Sequence, residues 1–189
     1  MKKLNKLSVL ALTSLFILSS CETTELDLTS NPNALSPENA SVDLFINNVQ
    51  EDFANFVNSM GDVGARLTRI AQMSGDRMYQ DAYSPSSFSG VWSSAYQGMM
   101  EDLRVMNGIA AENGLTYHIG MGQVMQAYIL MTLVDYFGDV PYTEALLGAE
   151  NLNPAADSGQ SVYNSALGLL DSAISNLSGG GPAPTYDMY

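Results

Sequence analysis

The sequence predicts an all-α protein built from antiparallel helix pairs. Apolar residues recur at intervals of three and four along several stretches of the 189-residue chain, which is the spacing of one helix face. Glycine and proline residues separate these stretches. No segment shows a convincing alternation of apolar and polar residues, the pattern of a half-buried strand. With 46% hydrophobic residues the chain can bury a core, and its length suits one domain or one part of a larger one.

The first twenty residues have the layout of a bacterial lipoprotein signal. Lys2, Lys3 and Lys6 precede a short apolar run, and the only cysteine, Cys21, follows small residues at the expected cleavage site. We therefore predict a signal peptide over 1–20 and a lipid attached to Cys21 through a thioether. The apolar run is too short to be a membrane-spanning helix. A single cysteine can form no internal disulfide.

A tether and then the helical body are predicted to follow the lipidated cysteine. Residues 21–35 are polar and contain a proline, which is typical of a flexible linker. The body is predicted over 36–189. Its first helix is expected to begin at Ser36, a good cap residue, with Pro37 at the first helical position. A second helix is expected from about residue 63 to residue 73. The stripe of the first helix comprises Val42, Phe45, Ile46, Val49, Phe53, Phe56 and Met60.

Residues 74–89 are predicted to be a loop that carries a candidate ligand-binding site. Aromatic rings stack on the apolar faces of sugars, and charged or amide groups pair with sugar hydroxyls. Binding groups also tend to lie on loops held by a rigid scaffold. The alternative is that Tyr79 and Tyr83 pack locally while Arg77 pairs with a neighbouring aspartate. The candidate residues are Asp76, Arg77, Tyr79, Asp81 and Tyr83.

The third predicted helix covers about residues 91–111, and Asn113 and Gly114 end it. Trp92 and Tyr96 lie on its apolar stripe, so we expect them in the core. The other residues of this stripe are Ala95, Met99, Leu103, Met106 and Ala110.

The fourth predicted helix, over about 116–137, is apolar nearly all round, which indicates a buried helix. Gly138 is expected to stop it. The fifth is expected to open at Asp157, with Gln160 at capping-box spacing. Because no polar helix follows to cover its apolar face, we expect the chain to be the N-terminal part of a longer protein, with exposed apolar surface and poor solubility.

The charge of the chain argues against nucleic-acid binding. The formal net charge is −13, and removal of the three signal-peptide lysines would lower it to −16. Binding of polyanions requires phosphate neutralisation by lysine and arginine.

No catalytic or metal-binding constellation is visible in the sequence. His118, the only histidine, has no recognisable catalytic partners and is interpreted as structural. Glu101 and Asp102 are adjacent on a helix, so they point in different directions and are interpreted as a solvated face. No cluster has the spacing of metal ligands. We therefore predict neither an enzyme nor a cofactor.

One segment resembles a known family signature. Residues 126–146 read QAYILMTLVDYFGDVPYTEAL, and the core at 137–142 ends an aromatic-rich helix. This segment is similar to the signature of SusD/RagB-family proteins, the nutrient-binding outer-membrane lipoproteins of Bacteroidetes. The similarity covers roughly residues 21–189 and is strongest over 91–177. Within the core we interpret five residues as architectural, forming a helix stop, a turn and packing contacts: Phe137, Gly138, Asp139, Pro141 and Tyr142.

The resemblance implies a tetratricopeptide-like SusD fold that is incomplete at its C-terminus, because family members are several hundred residues longer. It implies no catalysis. It also implies binding of an oligosaccharide or other nutrient at the cell surface and delivery to a SusC-like TonB-dependent transporter. Two alternatives remain open at this point. One is a tetratricopeptide-like lipoprotein scaffold that binds other proteins, and the other is a glycoside hydrolase whose carboxylate pair lies in the missing C-terminal region.

Overall fold

The computed structural model describes residues 41–72, 79 and 84–185, and within these the chain is helical. The described residues form five α-helices: α1 (Val42–Leu67), α2 (Ser89–Trp92), α3 (Glu101–Glu112), α4 (Thr116–Phe137) and α5 (Gly159–Ser178). A π-helical segment, Ser93–Met100, joins α2 to α3, and short 3-10 turns cover Pro85–Phe88 and Gly148–Glu150. The described residues form no β-strand, only an isolated bridge between Val140 and Asp157. The all-α prediction is confirmed.

α4 runs antiparallel both to the continuous α2–α3 run and to α5, as contacts between residue pairs show. The start of α4 meets the end of α5 through a hydrogen bond from Asn176 to Gln123. The other end of the same pair is joined by a hydrogen bond from Tyr163 to Asp135. α3 likewise folds back on α4 across Gly114, whose φ of +68° favours glycine.

By contrast, α1 and α4 run parallel with a constant register. His118 pairs with Asp43, and the ring of Tyr128 packs edge-on against Phe53. Further along, the Tyr136 hydroxyl donates to the carbonyl of α1 at Met60, 2.6 Å away. α4 therefore contacts α1 along its length as well as α3 and α5, which explains why it is apolar on so many sides.

The core lies between α1, the α2–α3 run, α4 and α5. Most residues of the apolar stripes predicted from the sequence are buried in this core. The largest fully buried side chains are Ile46, Met99, Leu103, Met106, Ile129, Leu130, Leu133, Val49, Val140 and Val162. In the part of the chain that is described, no helix is long and apolar enough to cross a membrane.

Two predicted helix starts are wrong. The helix that carries the first stripe begins at Val42 rather than Ser36, since Ser41 has an extended backbone and its hydroxyl accepts from the Leu44 N–H. Likewise α5 is capped by Ser158, not Asp157, through the Ser161 N–H. In both cases two cap-forming side chains lie close together in the sequence, and local pattern does not decide between them.

The predicted break between the first and second helices does not occur. α1 runs through Gly61 to Leu67, and Ile70, expected on an apolar face, is exposed. A helix-interior glycine costs only about 1 kcal/mol, and contacts with α4 beside it support the helix. The predicted loop over 74–89 is also too long at its far end, because Pro85–Phe88 and Ser89–Trp92 are helical.

Candidate ligand-binding site

Aromatic side chains from separate elements gather where α2 meets the end of α4. The ring centroids of Phe88 and Phe137 are 5.2 Å apart in an edge-to-face arrangement, and those of Trp92 and Phe137 are 4.7 Å apart. Trp92 also stacks on Tyr96 at 5.7 Å. Such pairs stabilise a cluster beyond the area they bury. They hold the rings in fixed orientations.

The cluster walls a cavity of about 380 Å³, which we call the aromatic cavity. It lies between the end of α1, the turn before α2 and the end of α4. Ligand sites of small molecules have volumes of roughly 300–1,000 Å³ and mainly apolar walls with few polar groups. The aromatic cavity has this character. Its lining residues are Leu67, Pro85, Phe88, Trp92, Tyr136 and Phe137.

One polar group in this wall is already engaged. The Tyr136 hydroxyl donates to the Met60 carbonyl, and burial raises the pKa of this phenol above its usual range. Gly64 permits the approach, because a Cβ there would collide with the hydroxyl. Tyr136 therefore lines the cavity, while its hydroxyl ties α4 to α1.

Of the five residues predicted for ligand binding, only Tyr79 falls among the described residues. The guanidinium carbon of Arg69 lies 5.1 Å from the centroid of the Tyr79 ring, a cation–π distance. Asp76, Arg77, Asp81 and Tyr83 lie outside the described residues. So does Cys21. Tyr79 thus has a packing partner in Arg69, and ligand binding by the five residues stays a prediction.

The segment after α4 is held by two aspartates. The Asp157 carboxylate accepts from the Tyr142 N–H at 2.9 Å, the Thr143 N–H at 2.8 Å and the Thr143 hydroxyl at 2.8 Å. These bonds, chiefly the one from the Thr143 N–H, lower the pKa of Asp157. Asp139 accepts from the Gly159 N–H at the start of α5. The turn is thereby joined to Gly159, the first residue of α5, and to Asp157, two residues before it.

The predicted motif residues lie in or beside this turn. Gly138 has a φ of +80° and follows the last residue of α4. The carbonyl of Pro141 accepts from the Tyr96 hydroxyl at 2.6 Å. Burial, and secondarily Asp157, raises the pKa of Tyr96 and that of Tyr142. Phe137 is the one motif residue that also lines the aromatic cavity.

The remaining candidate groups have structural partners. His118 is 3% exposed, and its Nε2 lies 2.7 Å from an oxygen of Asp43. Glu101 pairs with Arg104, and Asp102 accepts from the Asn48 amide. Among the described residues, no three His, Cys, Asp or Glu side chains are grouped as a metal site would need.

The sequence did not point to the aromatic cavity. Trp92 was expected in the core; it packs against the core but is only partly buried, and it lines the cavity. Phe88 lay in the segment predicted as loop. The signal that could have found them is the density of aromatic residues close to helix ends, in Phe88, Trp92, Tyr136 and Phe137.

Comparison with known proteins agrees with the helical fold. A crystal structure of a SusD/RagB family protein from Bacteroides thetaiotaomicron superposes with a TM-score of 0.64 at 23% sequence identity. The match covers 76% of this chain and 32% of that protein, so the chain spans about a third of its length. No curated protein matches the sequence significantly.

A family model identifies the group to which the sequence belongs. The SusD-like model, described as starch-binding and associating with the outer membrane, matches residues 32–188. This range includes all five described helices and the whole turn after α4. Because the match extends over most of the sequence and the fold agrees, the chain belongs to the SusD/RagB family.

Proposed function

We propose that the protein binds an oligosaccharide without chemical conversion at the outer membrane and delivers it to a SusC-like TonB-dependent transporter. The observation that carries the proposal is the aromatic cavity, in a chain whose family model is described as starch-binding. Flat apolar rings suit the C–H faces of sugar rings. The lining of this cavity offers surfaces for stacking and contains no acid–base pair, so binding alone is proposed.

The binding site is tested by calorimetry with maltohexaose as the probe. Phe88→Ala removes one wall of the aromatic cavity from a short turn that is outside the core. We expect binding to weaken on the order of tenfold, which corresponds to about 1.4 kcal/mol. Tyr128→Ala is the matched control, because it truncates an aromatic residue of α4 that does not line this cavity. Equal affinities of the two variants, or no binding of any glycan across a panel, would count against the site.

Attachment to the membrane is proposed to occur through Cys21, with residues 1–20 removed as a signal peptide and 21–35 acting as a tether. We expect Cys21→Ala to abolish incorporation of labelled palmitate and to move the protein out of the membrane fraction. Cell-surface exposure is tested separately by protease treatment of intact cells. Persistent labelling of the Cys21→Ala protein would show that the lipid is not on this residue.

Delivery to a transporter is tested by co-purification of the native protein from outer membranes. We expect a TonB-dependent transporter to be recovered with it. Recovery of a periplasmic protein instead, with no glycan binding in calorimetry, would favour the alternative of a tetratricopeptide-like scaffold. A surface groove lined by Phe53, Tyr117, Met121 and Val124 is the observation that favours this second function.

A further inference from the structure

Tyr96, in the π-helical segment Ser93–Met100, contacts both the turn after α4 and a wall residue of the aromatic cavity. Its ring stacks on Trp92, with centroids 5.7 Å apart and ring planes 18° apart, and Trp92 lines the cavity. Its hydroxyl donates to the Pro141 carbonyl at 2.6 Å. Tyr96 is not itself a lining residue, so it can act on a ligand in the cavity only through Trp92.

Among the described residues, Trp92 contacts two rings that differ in how firmly they are held. The second ring is that of Phe137, whose centroid lies 4.7 Å from that of Trp92, with 38° between the planes. Packing of apolar groups is non-directional, whereas a hydrogen bond requires a narrow range of distance and angle. A phenylalanine side chain can form no such bond. Of the two rings, only that of Tyr96 is therefore fixed in direction by a hydrogen bond.

The acceptor of this hydrogen bond belongs to a firmly held part of the turn. Val140, on one side of Pro141, exchanges two backbone hydrogen bonds with Asp157, at 3.1 and 3.0 Å. On the other side, the Tyr142 N–H donates to the Asp157 carboxylate at 2.9 Å. Val140 is also fully buried. Because the backbone is held on both sides, the Pro141 carbonyl is a fixed point to which the Tyr96 hydroxyl is bonded.

The backbone that carries Tyr96 is held by the core as well. Ala95 and Met99 lie four residues apart, as Trp92 and Tyr96 do, and both are fully buried. π-helical geometry is rare and occurs frequently at functional sites. The segment is thus anchored in the core by one pair of residues, while the other pair joins the turn to the cavity wall.

We propose that Tyr96 is a positioning residue for the aromatic cavity, because its hydrogen bond to the Pro141 carbonyl sets the orientation of the Trp92 ring in the cavity wall. The turn at 137–142, interpreted from the sequence as architectural, then also acts on the ligand site. The inference rests on the proposed function for the role of the cavity in ligand binding. The orientation of Trp92, however, can be measured without any ligand.

This orientation is tested by fluorine NMR of the ligand-free protein labelled with fluorotryptophan, in which Trp92→Phe identifies the resonance of Trp92. Tyr96→Phe keeps the stacked ring and removes only the hydroxyl. We expect the Trp92 resonance to move and broaden in this variant, because a ring pair that is no longer bonded to the turn samples more orientations.

Tyr163→Phe is the matched control. It removes another phenol hydroxyl that joins two elements, since Tyr163 of α5 donates to Asp135 of α4. This variant should leave the Trp92 resonance in place, which separates positioning from a general loss of stability. An unchanged resonance in Tyr96→Phe, or an equal change in both variants, would overturn the proposal.

The consequence for ligand binding is measured by calorimetry with maltohexaose. We expect Tyr96→Phe to weaken binding on the order of threefold, because ordering of the Trp92 ring then opposes binding. Tyr163→Phe should bind as the wild type does. Equal affinities of Tyr96→Phe and the wild type would overturn the role of Tyr96 at the ligand site. If no glycan binds while the Trp92 resonance responds to Tyr96→Phe alone, the proposed function fails and the positioning of Trp92 by Tyr96 stands.

Discussion

At the scale of single residues, the pair formed by His118 and Asp43 joins parts of the chain that are far apart in sequence. His118 is buried at the start of α4, and the Asp43 carboxylate in the first turn of α1 accepts from it. The other Asp43 oxygen accepts from the Thr185 N–H. The hydrogen bond with His118 is the largest of the effects that lower the pKa of Asp43. The only histidine thus has a structural partner in the described chain.

Removal of this carboxylate should therefore destabilise the fold. In Asp43→Ala the buried Nε2–H loses its acceptor, which costs about 1–3 kcal/mol. Asp43→Asn keeps an acceptor oxygen and should lose less. Glu51→Ala, at an exposed position of α1, is the control. Urea unfolding followed by circular dichroism measures the three free energies, and a loss in Asp43→Ala no larger than that in Glu51→Ala would contradict the role given to the pair.

Asp157 should make stability depend on pH. Its folded pKa is lowered from 3.8 by the bonds from Thr143 and Tyr142, so the ionised carboxylate favours the folded state. This contribution is fully present above the unfolded pKa and is lost as the pH falls through the folded pKa. Asp157→Asn should thus have a lower Tm than the wild type at pH 7, with the gap narrowing below about pH 4.

Thermal unfolding at pH 7 and pH 3 measures this effect. Asp171→Asn, at an exposed position of α5, is the control, and its Tm at pH 7 should differ less from that of the wild type. If the Tm difference between Asp157→Asn and the wild type is the same at both pH values, the ionised carboxylate is not what holds the turn.

At the scale of elements, alanine substitutions at two glycines should change the free energy of unfolding in opposite directions. Gly138 has a φ of +80° after α4, whereas Gly168 lies within α5, and a Cβ at either position would meet no atom within 4 Å. Gly138→Ala should cost about 1–3 kcal/mol through backbone strain alone. Gly168→Ala should instead stabilise by about 0.5–1 kcal/mol, because alanine favours the helix. Chemical unfolding measures the change in the free energy of unfolding for both variants. No change in Gly138→Ala would show that the turn relaxes.

These elements also show what the sequence could predict. The bounds of α4 were predicted correctly because an apolar run of helical length ends at glycines with positive φ on both sides, Gly114 and Gly138. The continuity of α1 through Gly61 was missed, because contacts between helices decide it and local propensity does not. The π-helical segment Ser93–Met100 has no signal in the sequence pattern.

The same distinction applies to the candidate sites. The ligand-binding site predicted from the sequence was one continuous loop, because a sequence pattern can only show residues that are close together along the chain. The aromatic cavity combines Leu67 of α1, Phe88 of a 3-10 turn, Trp92 of α2 and Phe137 of α4. These residues meet only because α4 returns along the α2–α3 run and packs beside α1, so their proximity follows from packing and not from spacing.

At the scale of the whole molecule, α4 keeps one apolar stripe uncovered. Val124 and Tyr128 are 40% and 43% exposed, and a groove of about 320 Å³ runs beside them between α1 and α5. Contiguous exposed apolar surface favours association with other surfaces. Its lining comprises Gln50, Phe53, Tyr117, Met121, Val124, Met125 and Leu177.

This groove should govern the self-association of the 189-residue chain. We expect the chain to form concentration-dependent oligomers in light scattering, and Val124→Gln to shift the distribution towards monomer. Leu152→Gln is the matched control, because Leu152 is 85% exposed but lies outside the groove. If the groove drives association, only the substitution within it reduces the oligomer fraction. A monomeric wild-type chain, or an equal effect of both substitutions, would show that exposed apolar area in general, and not this stripe of α4, sets the solution behaviour.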